Sequence, residues 1–552
     1  MTQLLHETIG SMLERQVHRF GEKEAVVYSK EDIRYTFNEF NEEVNRVSKA
    51  LLHIGVAKGE SIAIWATNVP EWLLLQFATA KIGAILVTVN TNYQSTELEY
   101  VLKQSEATRL FLIDGFKGTS YPETFLQLQK SGDRVDGGKC AIHSLPHLKD
   151  AIFIGQTPHP SFKGWGEFIK DGSDVLDSEL LNRKGELLPE DVINMQYTSG
   201  TTGFPKGVML THINILNNGY QIGQCMKLSE QDRLCIPVPF FHCFGCVLGT
   251  LAAFTAGASI FPIIEFEPEL ILRTVENEKC TALHGVPTMF ISELNLSTFA
   301  TYDLSSLRTG IMAGSPCPIE VMKNVMKRMN MSEITIAYGQ TESSPVITQT
   351  RTDDPIEYRV NTVGKALPGV EVKIIDPVTG KRVVDGGTGE LCTKGYHVMK
   401  GYFNMEDATK EAIDKNGWLH TGDLAKMDSQ GYVQITGRLK DMIIRGGENV
   451  YPREIEEFLY TYPSVQDVQV IGVPDEKYGE KVVACVQLKD GESVSESDIL
   501  SYCKGKIAHF KIPAHVFFIA EYPMTASGKI QKYRLRESAV EWTRNKSGTS
   551  RT

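Results

Sequence analysis

The sequence predicts an α/β fold in two parts, a large N-terminal α/β domain with sheets and helices and a small C-terminal α/β domain. The chain has 552 residues, which is too long for a single hydrophobic core. Short apolar runs alternate with segments of helical periodicity, a pattern typical of largely parallel sheets. Near Lys440 a polar stretch precedes a second, shorter α/β pattern. We therefore expect domains at residues 1–439 and 440–552.

Composition excludes several classes of function. The 42% hydrophobic and 23% charged residues are typical of a globular protein, and a net charge of −11 argues against nucleic acid as a partner. No apolar stretch is long enough to span a membrane, and the first twenty residues lack the apolar segment of a secretory signal. We expect a cytoplasmic protein whose ten cysteines are reduced thiols. The oligomeric state is not indicated.

The N-terminal region begins with a clear helix signal. Thr36 and Glu39 have the spacing of a capping box, apolar residues recur at helical spacing from Phe40 to Leu51, and Gly55 is a suitable stop. Strands are predicted next at 62–65, 85–89 and 110–113, and helices at 72–81 and 98–103. Residues 130–184 lose this periodicity, so we expect long surface connections there.

The alternation of strands and helices returns at Val192 and continues to Phe261, and the segment 286–290 is expected to precede a further helix. In the C-terminal part the patterns predict helices at 454–460 and 496–503 and strands at 465–473, 482–488 and 516–519. The polar tail is expected to fray after Arg544.

The stretch from Tyr197 to Val208 carries the strongest chemical signal. It reads Tyr-Thr-Ser-Gly-Thr-Thr-Gly-Phe-Pro-Lys-Gly-Val after an apolar, strand-like run. Glycines let successive N–H groups turn toward one anion, hydroxyls add donors, and a lysine adds a point charge suited to phosphate. The spacing differs from that of a Walker A loop. The alternative is a flexible surface loop. The residues expected to bind phosphate are Thr198, Ser199, Gly200, Thr201, Thr202, Gly203 and Lys206.

This loop resembles the phosphate loop of the adenylate-forming superfamily, which includes acyl-CoA synthetases, luciferases and peptide-synthetase adenylation domains. Further motifs follow in the order that the family requires, and together they span residues 197–529. They are Gly314-Ser315-Pro316, Tyr338-Gly339-Gln340-Thr341-Glu342, Trp418-Leu419-His420-Thr421-Gly422-Asp423, Gly437-Arg438 and Pro523-Met524-Thr525-Ala526-Ser527-Gly528-Lys529.

The resemblance implies a role for each nucleotide-binding motif. It places Gly314, Ser315 and Pro316 as a backbone loop against adenine and Tyr338 as a ring stacked on the base. Thr341, in the same motif as Gly339 and Gln340, would contact the α-phosphate. The implied roles of three charged residues are ribose binding for Asp423 and Arg438 and Mg²⁺ binding for Glu342.

It also implies which residues serve the acid and the thiol. Lys529 would bridge the substrate carboxylate and the α-phosphate, and His242 would form a gate beside them. The small domain would be mobile, rotating about Lys440 to present a coenzyme A face at Arg445, Gly446 and Gly447. The residues expected to flank the acyl group are His242, Val286, Ile311, Met312 and Ala313.

Within the superfamily the sequence is most similar to fatty-acyl-CoA synthetases of the medium-chain, acyl-CoA synthetase family member 2 type, on the stretches 398–403, 441–452 and 503–513. Ile444 stands where luciferases carry a lysine, which argues against light emission. The resemblance implies activation of a medium- or long-chain carboxylic acid by ATP and Mg²⁺ and its transfer to coenzyme A. The alternatives are an aryl- or small-acid CoA ligase, a carrier-protein acyl-AMP ligase, or a catalytically silent nucleotide-binding interaction protein.

Overall fold

The computed structural model describes residues 4–198, 205–315, 317–383, 386–445, 448–475, 478–525 and 530–548. Within these residues the predicted α/β class is confirmed. The α-helices are α1 (Ile9–Phe20), α2 (Phe37–His53), α3 (Pro70–Ile82), α4 (Ser95–Gln104), α5 (Tyr121–Leu126), α6 (Trp165–Asp171), α7 (Asp177–Gly185), α8 (His212–Cys225), α9 (Ala252–Ala256), α10 (Pro268–Glu278), α11 (Pro287–Leu294), α12 (Ile319–Arg328), α13 (Ile356–Asn361), α14 (Glu406–Ala412), α15 (Pro452–Leu459), α16 (Glu496–Cys503) and α17 (Lys532–Gly548).

The strands follow the same chain order. The first twenty are β1 (Glu24–Tyr28), β2 (Ile33–Thr36), β3 (Ser61–Trp65), β4 (Ile85–Thr88), β5 (Arg109–Ile113), β6 (Gly115–Phe116), β7 (Thr119–Ser120), β8 (Arg134–Asp136), β9 (Lys139–Ala141), β10 (Asp150–Ile154), β11 (Lys163–Gly164), β12 (Val192–Thr198), β13 (Lys206–Thr211), β14 (Arg233–Ile236), β15 (Ser259–Pro262), β16 (Ala282–Gly285), β17 (Thr309–Met312), β18 (Glu333–Gly339), β19 (Val346–Gln349) and β20 (Lys365–Ala366). The others are β21 (Val370–Ile375), β22 (Gly389–Gly395), β23 (Gly401–Tyr402), β24 (Leu419–Met427), β25 (Val433–Arg438), β26 (Ile443–Arg445), β27 (Glu448–Val450), β28 (Val465–Asp475), β29 (Gly479–Leu488) and β30 (His515–Phe518).

Two large sheets organise the N-terminal region. One has the order β23-β13-β12-β4-β3-β5-β10-β9-β8, with β11 beside β10, and the other has the order β2-β1-β15-β14-β16-β17-β18-β19-β20. Their central strands are parallel, and helices cover them. A smaller antiparallel sheet, β21-β22-β24-β25, follows. The carboxyl ends of parallel strands share one edge, so loops distant in sequence meet there.

The helix signal near the N-terminus is confirmed. The Thr36 side chain accepts a hydrogen bond from the Glu39 N–H, and the Glu39 side chain accepts one from the Thr36 N–H, completing the capping box of α2. Gly55, after the helix end, has φ +74°, a left-handed conformation that favours glycine.

Three expectations for local structure are wrong. Residues 130–184 contain β8 to β11, α6 and α7 rather than only surface connections, and β10 is buried along its whole length between β5 and β9. A five-residue strand buried on both faces carries no period-2 signal, so its pattern is hard to detect. The segment 286–290 does not precede a helix, because α11 begins within it, and α17 continues past Arg544 to Gly548.

The C-terminal part has its own sheet, β27-β26-β29-β28 with β30 beside β29. Its buried apolar residues form two clusters, around Val468 and around Val483, separate from the N-terminal cores. It meets the N-terminal part where α15 packs near β25. The domain boundary at Lys440 stays a prediction.

Within the described ranges, no helix combines the length and apolar character that crossing a membrane requires. All ten cysteines are free thiols, as predicted, and nine of them are buried.

Candidate active site

The predicted phosphate loop joins two antiparallel strands. In the β12–β13 hairpin, Thr198 pairs with Lys206 at the base of the loop. Ser199, Gly200, Thr201, Thr202 and Gly203 lie outside the described residues. The hairpin is held in the large sheet by β4 on one side and β23 on the other. Thr198 and Lys206 are therefore presented from a fixed sheet edge.

Glu342 lies at the base of this hairpin. Its Oε1 accepts hydrogen bonds from the Tyr402 hydroxyl at 2.9 Å and from Thr198 Oγ1 at 3.4 Å. Lys206 Nζ stands 4.8 Å from the centre of the Tyr402 ring, a cation–π contact. Burial and the Glu342 charge raise the pKa of Tyr402, so its hydroxyl keeps its proton. Tyr402 was missed from the sequence, although it lies in a stretch that carried the family resemblance.

Glu342 is in a 3-10 turn that follows β18 directly. Gly339 ends the strand, and a Cβ there would lie 1.8 Å from the Pro345 carbonyl oxygen, so only glycine fits. The Gln340 N–H donates to the same carbonyl oxygen at 2.9 Å, and Thr341 is buried. This tight turn places Glu342 next to the β12–β13 hairpin.

Gly314 and Ser315 follow β17, the parallel neighbour of β18. Their loop therefore opens at the same sheet edge as the Tyr338 motif. Gly314 has φ +89°, and the Ser315 carbonyl accepts a weak hydrogen bond from the Cys317 thiol at 3.5 Å. Pro316 lies outside the described residues.

Asp423 is the centre of the predicted ribose site. Asp423 on β24 lies directly opposite Arg438 on β25, and Arg438 Nε donates to Asp423 Oδ1 at 3.1 Å. The Tyr338 hydroxyl donates to the other carboxylate oxygen at 2.7 Å. The Asp423 side chain is 8% exposed and that of Arg438 53%, so one partner is fixed in the protein and the other faces solvent. The structure thus joins three residues that are far apart in sequence.

Burial has the largest effect on the pKa of Asp423 and of Tyr338 in this group of three residues. It raises the pKa of Asp423 even though Arg438 and the Tyr338 hydroxyl favour the carboxylate. The Asp423 charge in turn raises the pKa of Arg438, and burial together with that charge raises the pKa of Tyr338 well above its usual range. Tyr338 is thus kept as a proton donor and Arg438 as a cation.

The backbone before Asp423 is held by β22. The Asp423 N–H donates to Thr421 Oγ1 at 3.1 Å, and that hydroxyl donates to the Leu391 carbonyl at 2.7 Å. The Gly422 N–H donates to Glu390 Oε1 at 3.1 Å, and Gly422 has φ +69°. Sequence reasoning missed Glu390, since a carboxylate on a different strand carries no local signal.

His242 precedes a π-helical stretch, Phe244–Leu251, a type of helix often found at functional sites. Its Nδ1 accepts the Phe244 N–H at 3.1 Å. The buried His284 was missed. One of its ring nitrogens contacts the Leu248 carbonyl at 3.0 Å, the other accepts the Ile311 N–H at 3.2 Å, and burial lowers its pKa to about 4. A neutral His284 therefore ties the π-helix to β17.

The four apolar residues predicted to flank the acyl group are buried and His242 is partly exposed, but the four do not share one face. Val286, Ile311 and Ala313 belong to the core that contains the π-helix. Met312 packs in the second core, on the opposite side of β17, because side chains alternate along a strand. The structure therefore does not bring Met312 together with the other three.

The predicted hinge and coenzyme A face are only partly described. Lys440 is the middle residue of a 3-10 turn, Leu439–Asp441, between β25 and β26. Arg445 Nη1 donates to the carbonyls of Phe510 and Ile512 at 2.8 and 3.0 Å, so it braces its own domain. Gly446, Gly447 and Lys529 lie outside the described residues.

Comparisons with known proteins agree with this geometry. The model of the family "AMP-binding enzyme" matches residues 13–403, and that of the "AMP-binding enzyme C-terminal domain" matches residues 454–529. The chain is 58% identical over 541 residues to "Putative acyl-CoA synthetase YngI" of Bacillus subtilis (strain 168), covering 98% of each chain. It is 42% identical over 539 residues to "Medium-chain acyl-CoA ligase ACSF2, mitochondrial" of Homo sapiens, covering 96% of this chain and 87% of that one.

Among solved structures, ATP-bound MatB from Rhodopseudomonas palustris superimposes with a TM-score of 0.82 at 28% identity, covering 96% of this chain and 99% of that one. The chain belongs to the AMP-binding enzyme family. Within it, the protein is an adenylate-forming enzyme of the acyl-CoA synthetase type, an acid–CoA ligase.

Proposed function

We propose that this ligase is a fatty-acyl-CoA synthetase that activates a medium- or long-chain carboxylic acid with ATP, through an acyl-adenylate, and transfers it to coenzyme A. The products are the acyl thioester, AMP and pyrophosphate. The observation that carries the adenylate step is the buried Asp423 carboxylate, fixed between Arg438 and Tyr338, and Tyr338 lies on β18, the strand that leads to Glu342. The medium-chain name of the human relative supports the acid class.

The proposed ribose site would fix the orientation of the nucleotide. A carboxylate has about four lone-pair positions, and Tyr338 and Arg438 use one on each oxygen of Asp423. The remaining positions can accept the two ribose hydroxyls. Because both protein partners fix the carboxylate plane, the nucleotide would be held with its α-phosphate near Thr341, and such positioning lowers the entropic part of the barrier.

Magnesium fits the other end of the site. Glu342 and Thr198 offer a carboxylate and a hydroxyl oxygen within 3.4 Å of each other, the hard oxygen donors that Mg²⁺ prefers beside substrate phosphates. When bound, the ion would neutralise phosphate charge. Lys206 would contact the phosphates from the base of the hairpin.

The chemistry then needs one cation at the reacting atoms. A carboxylate oxygen must approach the negatively charged α-phosphorus, and the Lys529 ammonium would offset that repulsion. The carboxylate oxygen forms the new P–O bond as pyrophosphate leaves. In the second step the sulfur of coenzyme A attacks the acyl carbon and AMP leaves. We assign rotation about Lys440 to the change between steps, with the backbone at Arg445, Gly446 and Gly447 near the thiol arm.

Acid length would be set in the buried core beside His242. Val286, Ile311 and Ala313 are apolar, buried and part of the core that contains the π-helix. Each methylene that enters such a pocket contributes about 0.8 kcal/mol, so selectivity between chain lengths can be steep. We propose that this core, positioned by His284, forms the inner wall of the acyl site. A cytoplasmic location stays a prediction from the sequence.

The test is a pyrophosphate-release screen over straight-chain acids from acetate to palmitate and over benzoates, with and without coenzyme A. We expect the highest specificity for medium or long chains and AMP formation that continues only with the thiol. Highest activity with benzoates or acetate would overturn the acid class.

Lys529→Ala is the matched variant, since it should abolish adenylate formation while the enzyme still converts supplied acyl-adenylate to thioester. Equal loss of both steps would contradict the role of Lys529.

A further inference from the structure

Three side chains of types that can bind a metal ion form a cluster on β22 and β24, the strand that also carries Asp423. Glu390 and Cys392 are on the same face of β22, and His420 pairs directly with Cys392 from β24. His420 Nδ1 lies 3.0 Å from Glu390 Oε2 and 3.6 Å from Cys392 Sγ. All three ligand atoms lie within 4.8 Å of one another. None of these side chains is assigned a contact with substrate in the proposed acyl transfer, and Glu390 only holds the backbone before Asp423.

We propose that Glu390, Cys392 and His420 form a binding site for one zinc-type divalent cation. At metal–ligand bonds of about 2.0–2.3 Å and tetrahedral angles, neighbouring ligand atoms are about 3.3–3.6 Å apart. The observed separations from Nδ1 are close to these values. The three side chains already stand on paired strands, so binding requires only small shifts, and water can fill the fourth position.

The set of donors selects the type of metal. One thiolate, one imidazole and one carboxylate suit a borderline-soft ion such as Zn²⁺ or Co²⁺, whereas Mg²⁺ requires oxygen ligands. The site is therefore chemically different from the proposed Mg²⁺ position at Glu342. Cys392 is 0% exposed, whereas the His420 side chain is 31% exposed. A metal ion can therefore reach the site from solvent on the His420 side.

The carboxylate is already oriented for coordination. Glu390 Oε1 accepts the Gly422 N–H, which leaves Oε2 pointing at His420. Outer hydrogen bonds of this kind orient metal ligands in proteins. Because Gly422 directly precedes Asp423, a bound cation would also restrain the backbone that presents the ribose carboxylate.

Binding must displace protons. The thiolate is the metal-binding form of cysteine, so the Cys392 proton passes to solvent as the S–metal bond forms. Metal uptake should therefore weaken as pH falls.

The experiment uses chelator-treated full-length protein titrated with Co²⁺, followed by absorption spectroscopy, with Zn²⁺ as competitor. We expect one Co²⁺ per chain with a thiolate-to-cobalt charge-transfer band that Zn²⁺ removes. Cys392→Ser should lose the band, and His420→Gln should bind at least about 100-fold more weakly. Cys140→Ser is the matched control, because Cys140 is a more accessible free thiol outside the cluster, and it should keep the band.

The readout is a spectrum and does not depend on turnover, so its outcome is separate from that of the proposed function. Absence of the charge-transfer band in folded wild-type protein would overturn the site. So would an unchanged affinity for Co²⁺ in His420→Gln, or a band lost only in Cys140→Ser. His420→Gln also serves if Cys392→Ser fails to fold, because His420 is partly exposed and its replacement leaves no buried cavity.

Discussion

Two carboxylates mark the two ends of the proposed active site, and their surroundings differ. Asp423 is almost fully buried and is paired with Arg438 and with the Tyr338 hydroxyl. Glu342 is partly exposed and receives two hydroxyl hydrogen bonds, and among the described residues no ion pair includes it. The charge of Asp423 is balanced by the protein, which suits a neutral partner such as ribose. The charge of Glu342 is left for a cation.

The largest effect is expected from replacing Asp423, whose charge is paired within the protein. Asp423→Asn removes the charge that pairs with Arg438 and one acceptor for ribose. The Arg438 side chain is 53% exposed, so water can solvate it once the pair is broken, and burial already disfavours the Asp423 charge. We therefore expect a change in the free energy of unfolding below about 1 kcal/mol, but a rise in KM for ATP of at least about 100-fold. Urea unfolding and steady-state kinetics measure the two effects. An unchanged KM for ATP would contradict the ribose role proposed for Asp423.

Glu342→Gln tests the metal-binding end of the proposed site separately from the ribose end. The amide keeps the shape of the side chain but removes the charge that a hard cation needs. We expect turnover to fall about 10- to 100-fold, roughly 1.4–2.8 kcal/mol of barrier, with a higher Mg²⁺ requirement and a stability change below about 1 kcal/mol. Tyr402→Phe is the control, since it removes a hydrogen bond to Glu342 and leaves the charge in place. An unchanged Mg²⁺ titration in Glu342→Gln would exclude the metal role.

A third carboxyl extends the comparison, because none of the residues that the structure describes balances its charge. Glu293 on α11 is fully buried, neither oxygen has a hydrogen-bond partner in the described part of the chain, and burial raises its pKa well above the usual range. A raised folded-state pKa means that stability is highest below the unfolded pKa and is lost as pH rises. Glu293→Met should therefore stabilise the protein by about 1–3 kcal/mol, with a gain that grows from pH 5 to pH 8. Thermal unfolding across this range measures it, and a gain that shrinks with pH would contradict the assignment.

The smallest effect is expected from Tyr338→Phe. It removes the hydroxyl from Asp423 while keeping the ring that would stack on adenine. A hydrogen bond to a charged group contributes about 1.5–3 kcal/mol, and solvent at the open site can replace part of it, so ATP affinity should fall about tenfold. Tyr338→Leu, which also removes the ring, should cost more. Equal losses in the two variants, measured by calorimetric titration of ATP, would show that stacking contributes nothing.

Sequence reasoning located the elements of the candidate site that carry local signals. The glycine-rich hairpin, the turn after Tyr338 and the Asp423–Arg438 pair each have a short motif, and a capping box located α2 correctly. It missed Tyr402, His284 and Glu390, because each acts across strands that are distant in the chain. Strand β10 was missed because burial on both faces removes the alternation that identifies a strand.

Met312 shows the limit of grouping residues by proximity in sequence. It neighbours Ile311 and Ala313, yet the period of two along β17 places it in a different core. The register of a strand against its neighbours decides which side chains can meet. That register depends on long-range pairing, which a single sequence does not display.

In the proposed mechanism the carboxylate substrate attacks the α-phosphate of ATP. Isotope transfer tests this step, using a medium-chain acid whose carboxylate carries heavy oxygen, followed by mass spectrometry of the products in the presence of coenzyme A. We expect one heavy oxygen in AMP and none in pyrophosphate, since the acyl C–O bond breaks when the thiol attacks. Heavy oxygen in pyrophosphate, or AMP without label during thioester synthesis, would contradict an acyl-adenylate intermediate.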